Sequence, residues 1–133
     1  MRISTLLNYA NDPTESAKQA KALESAGVDM IWIPEAYGFD AVSLLGYLAA
    51  ETETVGLGSG ILNTYSRTPA ALAQTAASLD SLSGGRFTLG LGASGPQVIE
   101  GFHGIPYSMP LTRLREVMEI CRMAWKRERL IYN

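Results

Sequence analysis

The sequence has one cysteine, Cys121, and one histidine, His103, among its 133 residues. A single cysteine excludes an intrachain disulfide, and it is typical of proteins from a reducing, cytoplasmic compartment. One histidine, one cysteine and no carboxylate pair at ligand spacing predict that the chain holds no metal.

The sequence also lacks an excess of charge of one sign and a long apolar run. The 11 Lys and Arg residues stand against 13 Asp and Glu, a net charge of -2, which gives no attraction to nucleic acid or to an anionic membrane. The apolar run at residues 1–8 is too short for a signal peptide or a membrane span. The hydrophobic fraction of 47% is enough to bury a core. We expect a soluble cytoplasmic chain.

Short apolar segments alternate with longer amphipathic ones. They predict strands at residues 3–7, 30–33, 55–62 and 87–91, the first of them buried on both faces. Strand starts 25 to 32 residues apart, at 3, 30, 55 and 87, are typical of βαβ crossovers and so of a parallel sheet. A closed barrel and an open doubly wound sheet both use this pattern. Because an eight-unit barrel takes about 250 residues, we expect residues 1–133 to form an α/β, TIM-barrel-type (β/α)4 half-barrel, the N-terminal half of a barrel domain.

Four helices are predicted between and after these strands. Asp12, Asp40 and Thr68 are placed to cap the first three, the first of which covers 13–26 and ends at Gly27. The fourth begins at Pro110 after a long loop. Apolar residues at helical spacing in the last three helices are expected to face the core: Ala41, Leu44, Leu45, Leu48 and Ala49; Leu72, Ala76, Leu79 and Leu82; and Leu114, Val117, Met118, Cys121, Ala124 and Trp125.

Residues 90–95 match the pattern G-x-G-x-x-G at the end of a predicted strand. In a dinucleotide-binding fold the pattern opens a helix in the first βα unit. Here it lies in the fourth unit, Pro96 follows at once, and the next predicted helix begins only at Pro110. The glycines are better explained as small residues in a crowded barrel interior, or as a place where a flat ring or a phosphate approaches the backbone.

Three segments, in order, resemble the luciferase-like family, particularly its F420-dependent branch. They are Trp-Ile-Pro-Glu-Ala-Tyr-Gly-Phe-Asp at 32–40, Gly-Ser-Gly-Ile-Leu-Asn-Thr-Tyr-Ser-Arg-Thr-Pro-Ala at 58–70, and Leu-Ser-Gly-Gly-Arg-Phe-Thr-Leu-Gly-Leu-Gly-Ala-Ser-Gly-Pro-Gln at 82–97. Full-length members of this family are much longer, so the chain would supply less than half of one.

The resemblance implies where a cofactor would bind. In this family a deazaflavin or flavin lies across the C-terminal mouth of the barrel, against a bulge with a non-proline cis peptide bond, which by position would join Gly60 and Ile61. The cofactor-binding residues carried over by position are Gly60, Ile61, Leu62, Asn63, Ser94 and Gly95. The cofactor would be coenzyme F420, with FMN as the alternative, since the contacts that separate the two lie outside these segments.

The resemblance also supplies two candidate catalytic carboxylates, Glu35 and Glu100. Glu35 would hold the ring or transfer a proton, unless it is a solvated loop carboxylate. Ala36 stands where sugar-phosphate-oxidising relatives have a histidine, which argues against a histidine-based alcohol oxidation. Glu100 lies near a proton-donor position, although the spacing differs by about one residue. Arg67 would bind a substrate or cofactor anion, or satisfy carbonyl groups at the barrel rim.

Two functions follow from this comparison. One is hydride transfer between F420 or FMN and a small organic substrate, with molecular oxygen as a candidate acceptor. The other is a non-catalytic half-barrel that self-associates through its open sheet edges. Because two copies could close one eight-stranded barrel, the open edges predict a homodimer or larger assembly. His103, three residues after Glu100, is the remaining polar candidate for the site. We expect it to be structural or solvated rather than catalytic. Phosphate-binding loops usually follow the last strands of a barrel, so the isolated chain is expected to bind cofactor weakly.

Overall fold

The computed structural model describes residues 1–7, 12–127 and 129–132. Six strands lie in two parallel sheets. The larger sheet contains four strands: β1 (Ser4–Leu6), β2 (Met30–Ile33), β3 (Gly56–Ser59) and β5 (Phe87–Thr88). The smaller sheet pairs β4 (Leu62–Asn63) with β6 (Leu91–Gly92), and it continues the β3 and β5 pair after a short interruption.

The described residues also form five helices: α1 (Pro13–Ser25), α2 (Ala41–Glu51), α3 (Pro69–Leu82), α4 (Pro96–Ile99) and α5 (Pro110–Trp125). The three predicted capping side chains all accept a backbone N–H. Asp12 accepts from Thr14 at 2.8 Å, Asp40 from Ser43 at 2.7 Å, and Thr68 from Ala71 at 3.2 Å. Gly27 follows α1 with a φ of +80°, the left-handed conformation that favours glycine.

The strands of the larger sheet follow one another in chain order, β1-β2-β3-β5, and all pairs are parallel. A doubly wound sheet reverses its strand order at a switch point. Here the order does not reverse, so the strands form part of a singly wound barrel wall, as predicted.

The core lies between the sheet and the layer of α1, α2, α3 and α5. The predicted inner face of α2 is buried throughout, and it packs with Ile31, Ile33 and Leu57 of the strands. The prediction for Leu82 is wrong, because its side chain lies at the end of α3 and is 66% exposed. Of the predicted α5 face, only Val117 and Cys121 are fully buried.

Two predicted strands are each divided into two. Gly58 pairs with Thr88 and Leu62 pairs with Leu91, so Ser59, Gly60 and Ile61 stand opposite only Leu89 and Gly90. Three residues opposite two make a β-bulge. Regular pairing stops after Gly58 and Thr88 and resumes at Leu62 and Leu91. The apolar composition of 55–62 and 87–91 does not signal this division, because bulge residues can be as apolar as strand residues.

Two further expectations are corrected. The strand predicted at 3–7 is not buried on both faces: β1 is a sheet edge, and Leu6 is 63% exposed. The loop predicted between 91 and 110 contains the single turn α4, which begins at Pro96 directly after the glycine pattern. Among the described helices, the chain has none that is long and apolar enough to cross a membrane.

Candidate functional site at the carboxyl ends of the strands

The candidate site lies where the parallel strands end, because all their carboxyl ends meet at one edge of the sheet. Glu35 follows β2, and the Gly60 N–H donates to the carbonyl of Ile33 at 2.8 Å, which sets the bulge beside that strand end. Asn63 pairs with Gly92, and Ser94 and Gly95 come two and three residues later. The fold therefore brings the predicted site residues of three segments to the same edge.

The peptide bond between Gly60 and Ile61 is cis, at the position that the sequence resemblance indicated. Ile61 packs against the backbone of Gly92, where an added Cβ would lie 3.1 Å from the Ile61 Cγ1 atom. A side chain at position 92 would therefore require the Ile61 side chain to shift by a few tenths of an ångström. Leu62 is fully buried and packs in the core, so its side chain serves the fold.

Glu35 and Arg67 form a two-point ion pair. Arg67 donates from Nη1 to Glu35 Oε2 at 2.7 Å and from Nη2 to Oε1 at 2.8 Å, and their side chains are 20% and 10% exposed. Arg67 Nη2 also contacts Asp40 Oδ1 at 2.5 Å, while Glu35 Oε1 accepts the Ala41 N–H at 3.1 Å. Glu35 is therefore not a solvated carboxylate, and Arg67 binds two carboxylates rather than rim carbonyls.

The contacts in this cluster shift the pKa values of Arg67 and Asp40. The hydrogen bond to Glu35 is the main cause that raises the pKa of Arg67 above its ordinary value. Burial would raise the pKa of Asp40, but hydrogen bonds from Ser43 and the charge of Arg67 outweigh it and hold that pKa below its usual value. The cluster fastens the loop after β2 and the start of α2 to the loop that leads into α3.

Asn63 organises the loop after β4. Its Oδ1 atom accepts the N–H of Tyr65 at 3.0 Å and that of Ser66 at 2.7 Å, and the residue is 2% exposed. Such side-chain capping makes a tight turn without further backbone pairing. Thr64 Oγ1 and Ser66 Oγ, in the same turn, are buried and have no hydrogen-bond partner among the described residues.

The second segment of the site is the turn after β6. Ser94 adopts a φ of +58°, which is unfavourable for a residue other than glycine. The hydroxyl of Tyr107 donates to the Ser94 carbonyl at 3.2 Å, and the Tyr107 N–H donates to Glu100 Oε1 at 3.0 Å. Glu100 is exposed and lies after α4, so the structure places it in the loop that closes this side of the site.

Sequence reasoning missed an aromatic stack that supports both segments. The rings of Tyr65 and Tyr107 stack with centroids 5.3 Å apart and planes 25° apart, and the Arg113 guanidinium lies 4.5 Å from the Tyr65 ring centre. Arg113 also donates to the Thr64 carbonyl at 2.9 Å, and the Tyr65 hydroxyl donates to Ser108 at 2.7 Å. Tyr65, three residues after the end of a predicted strand, is the one sequence feature that could have indicated the stack.

His103 lies against the ring of Phe102, which in turn makes an edge contact with Tyr37, 5.7 Å between centroids. The Nε2 atom of His103 is buried without a hydrogen-bond partner among the residues described. This cluster joins the loops after β2 and α4. In the parts of the chain that the structure covers, no group of three His, Cys, Asp or Glu side chains is placed to hold a metal ion.

A comparison with known protein families identifies the family of this chain. The pattern of the luciferase-like monooxygenase family matches residues 1–133, the whole chain. The chain belongs to this family. The segments at 32–40, 58–70 and 82–97 that suggested the family all lie within the match, and the prediction from them is confirmed.

Relatives within the family use deazaflavin or flavin cofactors. A protein of Mycobacterium tuberculosis, provisionally named as a coenzyme F420-dependent oxidoreductase, is 43% identical over 130 residues, which cover 96% of this chain and 38% of that protein. The solved structure of the coenzyme F420-dependent tetrahydromethanopterin reductase from Methanopyrus kandleri superimposes with a TM-score of 0.80 at 29% identity, over 92% of this chain and 39% of that one.

A third likeness shows the fold alone. A type II Baeyer–Villiger monooxygenase from Pseudomonas putida, solved in complex with FMN, matches with a TM-score of 0.83 at 23% identity, over 100% of this chain and 41% of that one. The α/β fold with parallel strands is thus that of the TIM-barrel enzymes of this family. The chain spans about two fifths of the length of the relatives it matches.

Proposed function

We propose that the chain forms the ring-binding half of an oxidoreductase that transfers hydride between coenzyme F420, or FMN as the alternative, and a small organic substrate. The bulge at Gly60 and Ile61 is the observation that carries the proposal, because it ends the β3 strand at the edge where the family's cofactor lies. F420 is preferred, since the relative with 43% identity is named for it. The cofactor supplies the hydride chemistry, and the protein supplies binding and orientation.

The residues at this edge fit a flat ring with a polar rim. The Ile61 side chain lies over Gly92 and is only partly buried, so it offers an apolar surface to a ring at this edge. The unpartnered hydroxyl groups of Thr64 and Ser66 are buried in the turn that follows, and they would gain partners from the carbonyl and N–H groups of such a ring. The Ser94–Gly95 turn would cover the opposite side of the same opening.

The two carboxylates take different roles in this proposal. Both oxygens of Glu35 are committed to Arg67 and to the Ala41 N–H, so Glu35 acts as an anchor for the rim of the site. Glu100 has one oxygen on the Tyr107 N–H and is exposed, and it is the better candidate for holding or moving a proton at the substrate.

Titration of the chain with F420 and with FMN, followed by fluorescence, tests the proposal. We expect saturable binding that is weaker than in a complete barrel, with dissociation constants at tens to hundreds of micromolar, roughly 5 to 6 kcal/mol. Gly95→Val adds bulk at the turn and displaces the flexible end of Gln97, whose Oε1 atom would lie 2.8 Å from an added Cβ, so it should weaken binding at least about tenfold. Gly38→Val is the matched control, because nothing lies within 4 Å of a Cβ placed there.

An unchanged fluorescence of both cofactors at the highest protein concentration would contradict the proposal for this chain. So would equal binding by Gly95→Val and the wild type, which would place the ring elsewhere. Gly38→Val should bind the cofactor as the wild type does, which would show that the loss of binding in Gly95→Val is a local effect.

Self-association of a non-catalytic half-barrel is the second candidate, and a specific observation favours it. Apolar surface is exposed at both ends of the sheet: Ile3 and Leu6 at the β1 edge, and a cavity of about 780 Å³ between α3 and α5 beside Phe87 and Leu89. A second copy that paired these edges would bury both surfaces. Light scattering at tens of micromolar should then report a dimer or larger assembly, and a monomer would contradict this candidate while leaving cofactor binding to the titration.

A further inference from the structure

We propose that Tyr107 is a positioning residue that holds the Ser94 turn and the Glu100 carboxylate in one fixed arrangement. The inference rests on the proposed function, since Ser94 and Glu100 bear on a reaction only if this edge binds the cofactor and substrate. Tyr107 lies 13 residues after Ser94 and seven after Glu100, in a loop that sequence reasoning left without a role.

One residue makes both contacts through different groups. The Tyr107 hydroxyl donates to the carbonyl oxygen of Ser94 at 3.2 Å, at the start of the turn. The Tyr107 N–H donates to Glu100 Oε1 at 3.0 Å, just past the end of α4. The segment 94–100 is thus tied to Tyr107 at both of its ends.

The Ser94 end of this segment requires such support. With a φ of +58°, Ser94 occupies the left-handed region, which the Cβ atom of an L-residue disfavours. A residue keeps such a conformation only where its surroundings hold it there. The hydroxyl of Tyr107 binds the carbonyl whose direction this conformation sets.

Tyr107 is itself fixed to the other cofactor-binding segment. Its ring stacks on Tyr65, which is 5% exposed and comes two residues after Asn63. Arg113 lies over the Tyr65 ring and donates to the Thr64 carbonyl, so α5 holds the stack in place. Through Tyr107, the position of the Ser94 turn is coupled to that of the turn after β4, and the two sides of the ring site keep a constant separation.

Hydrogen exchange on the chain without ligand tests the coupling directly. Tyr107→Phe keeps the ring stack and removes only the hydroxyl, and we expect the amides of residue 95 and residues 97–100 to exchange about fivefold faster, as for the loss of one hydrogen bond. Tyr132→Phe is the matched control, because its hydroxyl donates to Glu119 at 2.6 Å on the exposed side of α5. Unchanged exchange at 95–100 in Tyr107→Phe overturns the inference.

A cofactor titration separates positioning from a purely structural role. We expect Tyr107→Phe to weaken F420 or FMN binding several-fold and to alter the emission spectrum of the bound cofactor, with a thermal midpoint close to that of the wild type. Equal affinity and spectrum in the two proteins overturn the inference even if the wild type binds well. If the wild type binds neither cofactor, the proposed function fails, and the exchange experiment still decides whether Tyr107 holds the turn.

Discussion

The hydroxyl of Ser59 makes two hydrogen bonds to Gly90: it donates to the carbonyl oxygen and accepts from the N–H, each at 2.9 Å. Ser59 is 1% exposed and lies at the start of the bulge. Its side chain therefore takes the place of the backbone hydrogen bonds that the bulge interrupts. Gly90 fits beside it only because it has no side chain, since an added Cβ would lie 2.0 Å from the Ser59 carbonyl oxygen.

Removal of this hydroxyl should destabilise the fold. Ser59→Ala leaves the partly buried N–H of Gly90 without its partner, and we expect the free energy of unfolding to fall by about 1–3 kcal/mol. Gly90→Ala should cost about 3 kcal/mol or more, because the backbone oxygen that it meets cannot move cheaply. Denaturant unfolding measures both, with Gly38→Ala as the control that meets no atom within 4 Å. A Gly90→Ala variant as stable as the control would contradict this description of the bulge.

Arg67→Ala should destabilise the chain by about 2–3 kcal/mol, because it leaves Glu35 in a largely buried position without its cation. Arg67→Lys should recover only part of this loss, since an ammonium group cannot bind both carboxylate oxygens in parallel. Arg115→Ala is the control: its 4.0 Å contact with Glu119 joins two exposed side chains and should be worth about 0.5 kcal/mol or less. Equal losses from Arg67→Ala and Arg115→Ala would mean that the Glu35 pair contributes no more than a surface contact.

The Glu24 carboxylate gives a pH dependence of stability. Its Oε1 atom accepts the backbone N–H groups of Glu53, Thr54 and Val55 and the Thr54 hydroxyl. Burial would raise the pKa of Glu24, but these hydrogen bonds outweigh it and lower that pKa from 4.5 to about 2. Because the folded chain holds the proton less tightly than the unfolded chain, the stabilisation is complete above the unfolded pKa. It is lost as the pH falls from 4.5 towards 2.

Glu24→Gln should therefore be less stable than the wild type at neutral pH by about 1–2 kcal/mol, a value reduced by the partial exposure of the group. The difference should shrink between pH 4.5 and pH 2, as Glu24 becomes protonated in the wild type. Urea unfolding at a series of pH values measures it. The exposed Glu15→Gln serves as the control, and a difference that stays constant down to pH 2 would contradict the assigned hydrogen bonds.

Met109→Gly should stabilise the chain. Met109 has a φ of +47°, precedes α5 and is 69% exposed, so its side chain adds a conformational cost with little packing in return. Glycine should raise the free energy of unfolding by about 0.5–1 kcal/mol, after its greater entropy in the unfolded chain is subtracted. In the first turn of the helix, Leu111→Gly should instead cost about 1 kcal/mol. Thermal unfolding of the two variants should give midpoint shifts of opposite sign.

Local signals in the sequence were sufficient for four of the five described helices and for the parallel strands. Asp12, Asp40 and Thr68 cap helices because their side chains act on residues two or three positions away, which is a property of the local sequence. The spacing of the strands predicted a parallel sheet, because a crossover helix between two strands lets them run in the same direction. Leu82 departs from its prediction: it is the last residue of α3, and its side chain is 66% exposed.

The contacts that build the site were not predictable, because they join residues far apart in the sequence. Arg67 and Glu35 are 32 residues apart, and Ser59 and Gly90 are 31 apart. Helical or strand periodicity contains no information about such pairs. The cis bond at Gly60 was expected only from the family resemblance. No pattern in the sequence indicated the contacts of Tyr107.

Because of the bulge, the number of residues between β3 and β4 determines which side chains face the core. Side chains alternate between the two faces of a strand, and one extra residue reverses which positions face the helices. Odd-numbered Leu57 and even-numbered Leu62 both pack in the same core for this reason. A deletion of one residue between Gly58 and Leu62 would remove the bulge, and an insertion of one more residue would turn Leu62 to the face opposite Leu57. Among relatives, substitutions should therefore be tolerated in this segment more readily than any change in its residue count.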